Sequence, residues 1–169
     1  MMGAIGGAMA DKLKGLEDAR RVLEEEYKKL DFELRVELPK EIDTARQLGD
    51  LSENSEYKMA LERQLFVKAR VADIRQRIAA LSQINVSSIP KDRAAYGSSL
   101  LLLDLDRDEE MSVHLVTQEE ADISKGKYSV QSPIGRSLLG KREGDVIDVE
   151  TPGGKRSFEV LELKTIHED

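Results

Sequence analysis

Apolar side chains recur every three or four residues in the first half of the chain, and this spacing predicts two long helices. The first series is Leu13, Leu16, Leu23, Tyr27, Leu30 and Leu34, and the second is Tyr57, Ala60, Gln64, Val67, Val71, Ile74, Ile78 and Leu81. Such alternation is typical of the a/d seam of a coiled coil. Because the two series mirror each other about residue 51, they predict an antiparallel helical hairpin.

The first series is interrupted near Pro39. Apolar positions there step twice by four, from Leu34 to Ile42, which is a stutter in the heptad pattern. Proline inside a helix has no N–H to donate, so we expect Pro39 to bend the helix or to remove a backbone hydrogen bond at this point. The series then resumes and should continue to Leu48. About 35 residues per arm, at ~1.5 Å each, predict a rod of roughly 50 Å.

A short segment, residues 49–54, joins the two series and carries two acids, Asp50 and Glu53. Gly49 suits a left-handed residue that ends the first helix. Either Asp50 or Ser52 could cap the second helix, and Asp50 with Glu53 has the spacing of a capping-box variant. The alternative is that these carboxylates, exposed at a tip, bind Mg²⁺ or orient water. Two carboxylates alone hold Mg²⁺ poorly, so a partner would have to supply further ligands.

The pattern changes after residue 84. Residues 85–98 contain several Ser, Pro and Gly residues and are interpreted as a linker. Five short strands are then predicted, at 99–105, 111–117, 128–131, 146–150 and 157–163. Ser132 and Pro133 predict the cap and first residue of a short helix that ends at Gly140. A small α+β domain with a mostly antiparallel sheet follows from these elements, and docking is its favoured role because it has no clustered nucleophile and base.

Composition and charge exclude several classes of function. The chain has 169 residues, no cysteine and a formal net charge of −7. The lack of cysteine excludes disulfide bonds and thiolate metal sites, and the acidic balance argues against a protein that simply coats nucleic acid. Basic residues are concentrated on the second helix within residues 54–81, where a solvated helix face and a functional surface remain equally open.

Membrane insertion is not expected. No apolar run approaches the roughly 20 residues needed to span a bilayer. Residues 1–8 lack the basic start and the apolar core of a signal peptide. We therefore expect a cytoplasmic protein with no membrane contact.

Two motifs resemble the GreA/GreB family of bacterial transcript-cleavage factors. The first is Gly49-Asp50-Leu51-Ser52-Glu53-Asn54-Ser55-Glu56-Tyr57, and the second is Ser132-Pro133-Ile134-Gly135-Arg136 followed by Leu138-Leu139-Gly140-Lys141. The resemblance covers residues 11–165 and is closer to GreA than to GreB. It implies an α+β chain with a long antiparallel coiled-coil hairpin at 9–84, a linker at 85–98 and a small FKBP-like docking domain at 99–169.

The resemblance also implies a function. In this family the hairpin enters the secondary channel of RNA polymerase and stimulates Mg²⁺-dependent cleavage of backtracked nascent RNA, which restores its 3′ end to the active site. Asp50 and Glu53 stand at the positions of the two essential acids. The resemblance implies that they share a second Mg²⁺ with the polymerase, one that the free protein does not bind. The chain is then an accessory factor, expected to be monomeric, while the polymerase carries out the hydrolysis.

Further residues take roles from the same resemblance. The remaining tip contacts would come from Leu51, Ser52, Asn54 and Tyr57. Arg46 matches a basic position of the family and would contact RNA or polymerase. Leu61 stands where the family often has Lys or Arg, so the rest of the basic patch would be displaced onto Lys58 and Arg63. The segment Ser132, Pro133, Ile134, Gly135 and Arg136 would belong to the docking domain.

Three other functions remain as alternatives. A Gre-like inhibitor would use the same hairpin to block the polymerase, but such inhibitors carry a larger acidic cluster, whereas Leu51, Ser52 and Asn54 are uncharged. A peptidyl-prolyl isomerase needs several aromatic pocket walls, and the second half offers only three aromatic residues, Tyr96, Tyr128 and Phe158. A plain coiled-coil adaptor would explain the rod but not the acids at its end.

Overall fold

The computed structural model describes residues 7–168, which form two compact units. One unit contains residues 20–84. The other contains residues 85–168 together with the part of the first helix that ends at Ala19. We expect from the sequence that residues 1–8 are not a signal peptide. Most of this segment lies outside the described residues. Within the described range, no helix has both the length and the apolar character needed to cross a membrane.

The helical half follows the predicted hairpin. Its elements are α1 (Gly7–Phe32), a π-helical turn (Glu33–Glu37), α2 (Leu38–Arg46) and α3 (Ser55–Ser82). Contacts between the arms run in opposite chain directions: Asn54 bonds to Ala45, Arg63 to Glu33 and Arg70 to Glu26. The antiparallel hairpin expected from the mirrored apolar series is therefore confirmed.

The seam between the arms is the apolar core of the hairpin. Its buried members are Leu23, Leu30, Leu38, Ile42 and Ala45 on one arm and Ala60, Val67, Val71, Ile74 and Leu81 on the other. Burying a Leu, Ile or Val side chain contributes about 1.5–3 kcal/mol, so this narrow seam holds the rod together. The expectation that the seam continues to Leu48 is wrong. Leu48 is 61% exposed, because α2 already ends at Arg46 and the next residues turn.

The interruption near Pro39 is the π-helical turn. The Leu38 N–H donates to the Glu33 carbonyl, five residues back instead of four. A π turn accommodates one extra residue, which is how a helix absorbs a shift in its apolar spacing. Pro39 follows directly and has no N–H to donate to the preceding turn. The stutter thus coincides with a π turn, a type of irregularity that the sequence analysis did not specify.

The C-terminal half is a five-stranded sheet with one short helix. The strands are β1 (Ser99–Asp104), β2 (Glu109–Val116), β3 (Lys127–Ser129), β4 (Val146–Thr151) and β5 (Gly154–Lys164), and the helix is α4 (Pro133–Leu138). Spatial order is β3-β2-β1-β5-β4, with every pair antiparallel except β2 with β3. All five predicted strands and the predicted helix are present, so the α+β class is confirmed.

The core of this unit lies against one face of the sheet. It contains Leu100, Leu102, Val113, Leu115, Leu138, Ile147, Val149, Phe158, Val160 and also Ala94. Ala94 is 2% exposed and exchanges backbone hydrogen bonds with the segment after α4, at Gly140 and Lys141. The Lys12 ammonium of α1 donates to the Gly97 carbonyl at 2.6 Å. Residues 94–97 are therefore packed into this unit.

Candidate functional site

The tip of the hairpin begins where α2 ends. Gln47 is the last residue with helical backbone angles, and the Leu48 N–H bonds to the Ala45 carbonyl at 3.1 Å. Gly49 follows with φ of +132°, a conformation that side chains rarely adopt. Positive φ was expected at Gly49, but the left-handed helical region near +57° was not reached. The chain then makes a turn over residues 51–53 before α3 begins.

Asn54 caps the second helix. Its backbone is extended, and its side-chain oxygen accepts a hydrogen bond from the Tyr57 N–H at 3.0 Å. The expectation that Asp50 or Ser52 caps α3, with Glu53 completing a capping box, is wrong. Because α3 starts only at Ser55, both acids lie before the cap and outside the first helical turn. Neither carboxylate is needed to satisfy the N–H groups of the helix start.

Asp50 is held locally by Ser52. One carboxylate oxygen, Oδ1, accepts from the Ser52 N–H at 3.0 Å and from the Ser52 hydroxyl at 2.9 Å. These two hydrogen bonds lower the pKa of Asp50 from its ordinary value, because they favour the charged form. The side chain is therefore ionised at neutral pH. Its second oxygen, Oδ2, has no hydrogen-bond donor among residues 7–168.

Glu53 lies three residues further on, and its backbone N–H donates to the Asp50 carbonyl at 3.3 Å. No described residue donates a hydrogen bond to its carboxylate. Every residue from 46 to 53 is exposed, including Leu51 at 42%. The tip thus presents two carboxylates and an apolar side chain to a partner. No group of three possible metal ligands occurs within the described range, so an ion shared by Asp50 and Glu53 needs further ligands from outside.

The three predicted basic residues have different environments. Arg46 lies over the Tyr57 ring, 5.9 Å from its centroid, just below the tip. Lys58 is exposed and has no ion-pair partner in the described part of the chain. Arg63 is already engaged, because its guanidinium donates to both oxygens of Glu33 at 2.7 and 2.9 Å. Arg46 and Lys58 are therefore available near the tip, whereas Arg63 mainly joins the two arms.

Contacts with the first arm engage three basic side chains of α3, those of Arg63, Arg70 and Arg75, which sequence reasoning missed. Arg70 donates to both oxygens of Glu26, and Arg75 donates to the Tyr27 hydroxyl at 2.8 Å. The partners of Arg70 and Arg75 lie more than 40 residues away along the chain. Only the mirrored apolar series could have placed these side chains opposite each other.

The motif of residues 132–136 starts α4 and lines an apolar groove. The Ser132 hydroxyl accepts from the Gly135 N–H at 3.1 Å and donates to the Ser129 carbonyl at 2.6 Å, so Ser132 is the cap that was predicted. Pro133 and Ile134 line a groove of about 240 Å³ together with Met111, Tyr128 and Phe158. Arg136 is exposed beside it. Gly135 is buried against the backbone of Ser129.

Comparison with known proteins covers both halves of the chain. Residues 17–82 match the family model described as "Transcription elongation factor, N-terminal", and residues 89–165 match "Transcription elongation factor, GreA/GreB, C-term". The transcription elongation factor GreA of Desulfotalea psychrophila is 41% identical over 157 residues, which cover 93% of this chain and 98% of the relative. GreA of Pseudomonas aeruginosa is 42% identical over 147 residues, with 86% and 93% covered.

Solved structures give a further comparison. GreA factor homolog 1 of Thermus thermophilus is 28% identical, with a TM-score of 0.40 and coverage of 85% of this chain and 93% of that one. A GreA/GreB factor from Nitrosomonas europaea is 26% identical, with a TM-score of 0.40 and coverage of 54% and 78%.

Proposed function

Because this chain belongs to the GreA/GreB family of transcription elongation factors, we propose that its acidic tip assists RNA polymerase in cleaving backtracked nascent RNA. The chain is an elongation factor of the GreA type, an accessory partner of RNA polymerase. The proposal adds that the hairpin enters the secondary channel and that Asp50 and Glu53 reach the active site. The observation that carries it is the freedom of both carboxylates from helix capping.

The hairpin supplies the reach that this role requires. The 28 residues of α3 span about 42 Å at ~1.5 Å each, and the acids lie just beyond its first residue. The rod buries little more than one seam, so it is long and thin in relation to its core. A long, thin element with its charged residues at the far end suits insertion into a channel.

The two acids act jointly in the proposed reaction. Mg²⁺ bound at the polymerase site would offset charge on the RNA phosphate and lower the pKa of an attacking water. Asp50 Oδ2 and the Glu53 carboxylate would provide oxygens toward that ion and accept a hydrogen bond from the water. Asp50 is already ionised and oriented by Ser52, so it loses little freedom when it enters the site. The remaining ligands come from the polymerase.

Neighbouring residues support the same surface. Arg46 and Lys58 place two positive charges beside the acidic tip, where they can contact RNA phosphates or acidic groups of the polymerase. Leu51 and Ser52 lie between the acids and are exposed.

We also propose that the factor acts as a monomer, which light scattering of the purified protein tests directly.

Isomerase activity is disfavoured by the aromatic residues of the second half. Only Tyr128 and Phe158 reach the groove beside α4, and Phe158 is 1% exposed because it belongs to the core. Tyr96 lies elsewhere and donates a hydrogen bond to Glu120 at 3.1 Å. One accessible aromatic ring does not make the walls of a proline pocket. The groove fits a docking role better.

A stalled, backtracked elongation complex with 3′-labelled RNA tests the proposal. Addition of this protein should release short 3′ fragments and allow elongation to resume from the new end. A complex treated with buffer should cleave much more slowly. If the protein slows elongation and releases no fragment, the inhibitor function applies and the proposal is wrong.

A further inference from the structure

Asn54 makes three hydrogen bonds at the tip of the hairpin, and one of them links the two arms. Its side-chain oxygen accepts from the Tyr57 N–H at 3.0 Å, and its side-chain nitrogen donates to the Ala45 carbonyl at 2.5 Å. Its backbone carbonyl accepts from the Lys58 N–H at 3.1 Å. The first and third bonds start α3, whereas the second crosses to α2. The side-chain amide makes this possible because its acceptor oxygen and its donor nitrogen are separate atoms that point in different directions.

The loop that Asn54 closes has no core of its own. Ala45 is the last buried residue of the first arm, and all residues from 46 to 53 are exposed. Apolar packing therefore cannot fix the loop. Fixing the spacing of its ends reduces the number of conformations open to a loop, and the two hydrogen bonds from Ser52 to Asp50 restrict this loop further. The bond between Asn54 and Ala45 joins those ends.

A second contact lies at the same level of the hairpin. The Arg46 guanidinium lies 5.9 Å from the centroid of the Tyr57 ring. Arg46 follows Ala45 directly in the chain. Tyr57 is the residue whose N–H the Asn54 side chain accepts. The hydrogen bond from Asn54 to Ala45 and the cation–π contact of Arg46 with Tyr57 therefore join the two arms side by side.

We propose that Asn54 is a positioning residue for the two tip carboxylates. The hydrogen bond from its side-chain nitrogen to the Ala45 carbonyl sets the distance between the arms. That distance in turn sets the positions in which Asp50 and Glu53 meet the polymerase. Asn54 itself touches neither RNA nor the reacting atoms. The inference rests on the proposed function for its catalytic consequence, but the clamp itself is a property of the free protein.

Two substitutions separate the clamp from the cap. Asn54→Asp and Asn54→Ser both keep an oxygen that can accept from Tyr57, since Asp and Ser are good capping residues. Asp lacks the donor and places a charge against the Ala45 carbonyl. Ser adds no charge, but it has a single hydroxyl on a shorter side chain and no amide nitrogen that could bond to Ala45 while the hydroxyl caps Tyr57. Both variants should therefore fold with a nearly unchanged melting temperature. Asn54→Ala, which loses the cap as well, should melt lower.

Cleavage kinetics distinguish positioning from a merely structural role. The rate of RNA cleavage is measured against factor concentration for wild type, Asn54→Asp and Asn54→Ser. We expect the maximal rate to fall on the order of 10-fold to 100-fold, because small displacements of reacting groups have effects of this size. The factor concentration at half-maximal rate should not change. An undiminished maximal rate in both variants, or a loss explained only by weaker binding, would overturn the proposal.

The free protein provides an independent readout. Backbone ¹⁵N relaxation should show greater motion for residues 48–53 in Asn54→Ser than in wild type, while residues 60–75 stay unchanged. Equal backbone motion of residues 48–53 in the two proteins would show that the hydrogen bond from Asn54 to Ala45 does not hold the loop, and would overturn the proposal. If wild type stimulates no cleavage but the loop loosens in the variant, the clamp is supported and the proposed function is refuted.

Discussion

Arg70 of α3 and Glu26 of α1 form a two-point ion pair across the hairpin, with Nε–Oε1 and Nη2–Oε2 distances of 2.8 and 2.9 Å. Arg63 and Glu33 repeat this arrangement seven residues nearer the tip on each arm. Planar two-point pairs accept only a narrow range of geometries. The two pairs therefore help to fix which residues of the arms face each other, and so where the tip loop falls.

Removing one of these pairs should weaken the hairpin modestly. We expect Arg70→Met to lower the free energy of unfolding by about 0.5–1 kcal/mol, because both side chains are roughly one-third exposed and water screens the pair. Urea denaturation followed by circular dichroism measures the change. The control is Arg35→Met, which removes a more exposed pair with Asp31 within one arm. Equal losses in both variants would show that pairing across the arms contributes nothing extra.

The same pairs predict a dependence on pH. Hydrogen bonds from Arg70 and Arg63 are the main reason that the pKa values of Glu26 and Glu33 lie below their ordinary 4.5. The unfolded chain therefore binds more protons in acid, so this stabilisation is complete above pH 4.5 and is lost as pH falls through the lower folded values. The melting temperature should drop below pH 4.5. The double variant Glu26→Gln, Glu33→Gln should show a smaller drop, and an identical drop would contradict the assignment.

Gly135 is required by close packing in the second unit. A Cβ atom at this position would lie 2.0 Å from the Ser129 carbonyl oxygen, which belongs to rigid backbone. We expect Gly135→Ala to destabilise the sheet unit by about 1–3 kcal/mol, the usual cost of overpacking. Gly153→Ala is the control, since its nearest neighbour would be Thr151 Oγ1 at 3.9 Å. Thermal unfolding of the two variants should differ clearly, and equal melting temperatures would refute the packing argument.

The periodic features of the sequence predicted the fold well. Apolar spacing of three and four located both arms, because this spacing is set by the repeat of the helix. Short apolar runs between turn residues located all five strands. Ser132 and Pro133 identified the start of α4, because a helix cap depends only on residues that are close in sequence. The stutter in the apolar spacing also marked the place of the π turn before Pro39, although not its type.

The details of the site could not be read in this way. Asp50, Ser52 and Asn54 are all good capping residues within five positions, and local pattern does not distinguish them. The choice of Asn54 coincides with a bond to Ala45, nine residues away on the other arm. The buried pair of Asp104 with Arg156 joins residues 52 positions apart and was not foreseen either. Interactions between residues far apart in the chain determine which residue caps a helix and which charges pair, and no local motif predicts them.

The most direct test of the central claim compares tip variants in the cleavage assay at saturating factor concentration. Asp50→Asn and Glu53→Gln remove one negative charge each at nearly constant shape, and Asp43→Asn makes the same change on the exposed face of α2. We predict that both tip variants cleave on the order of 100-fold more slowly than wild type, a loss typical of removing one group that stabilises the transition state. Both should still compete with wild type for the polymerase, and Asp43→Asn should cleave normally. Full cleavage by Asp50→Asn and Glu53→Gln would contradict the account.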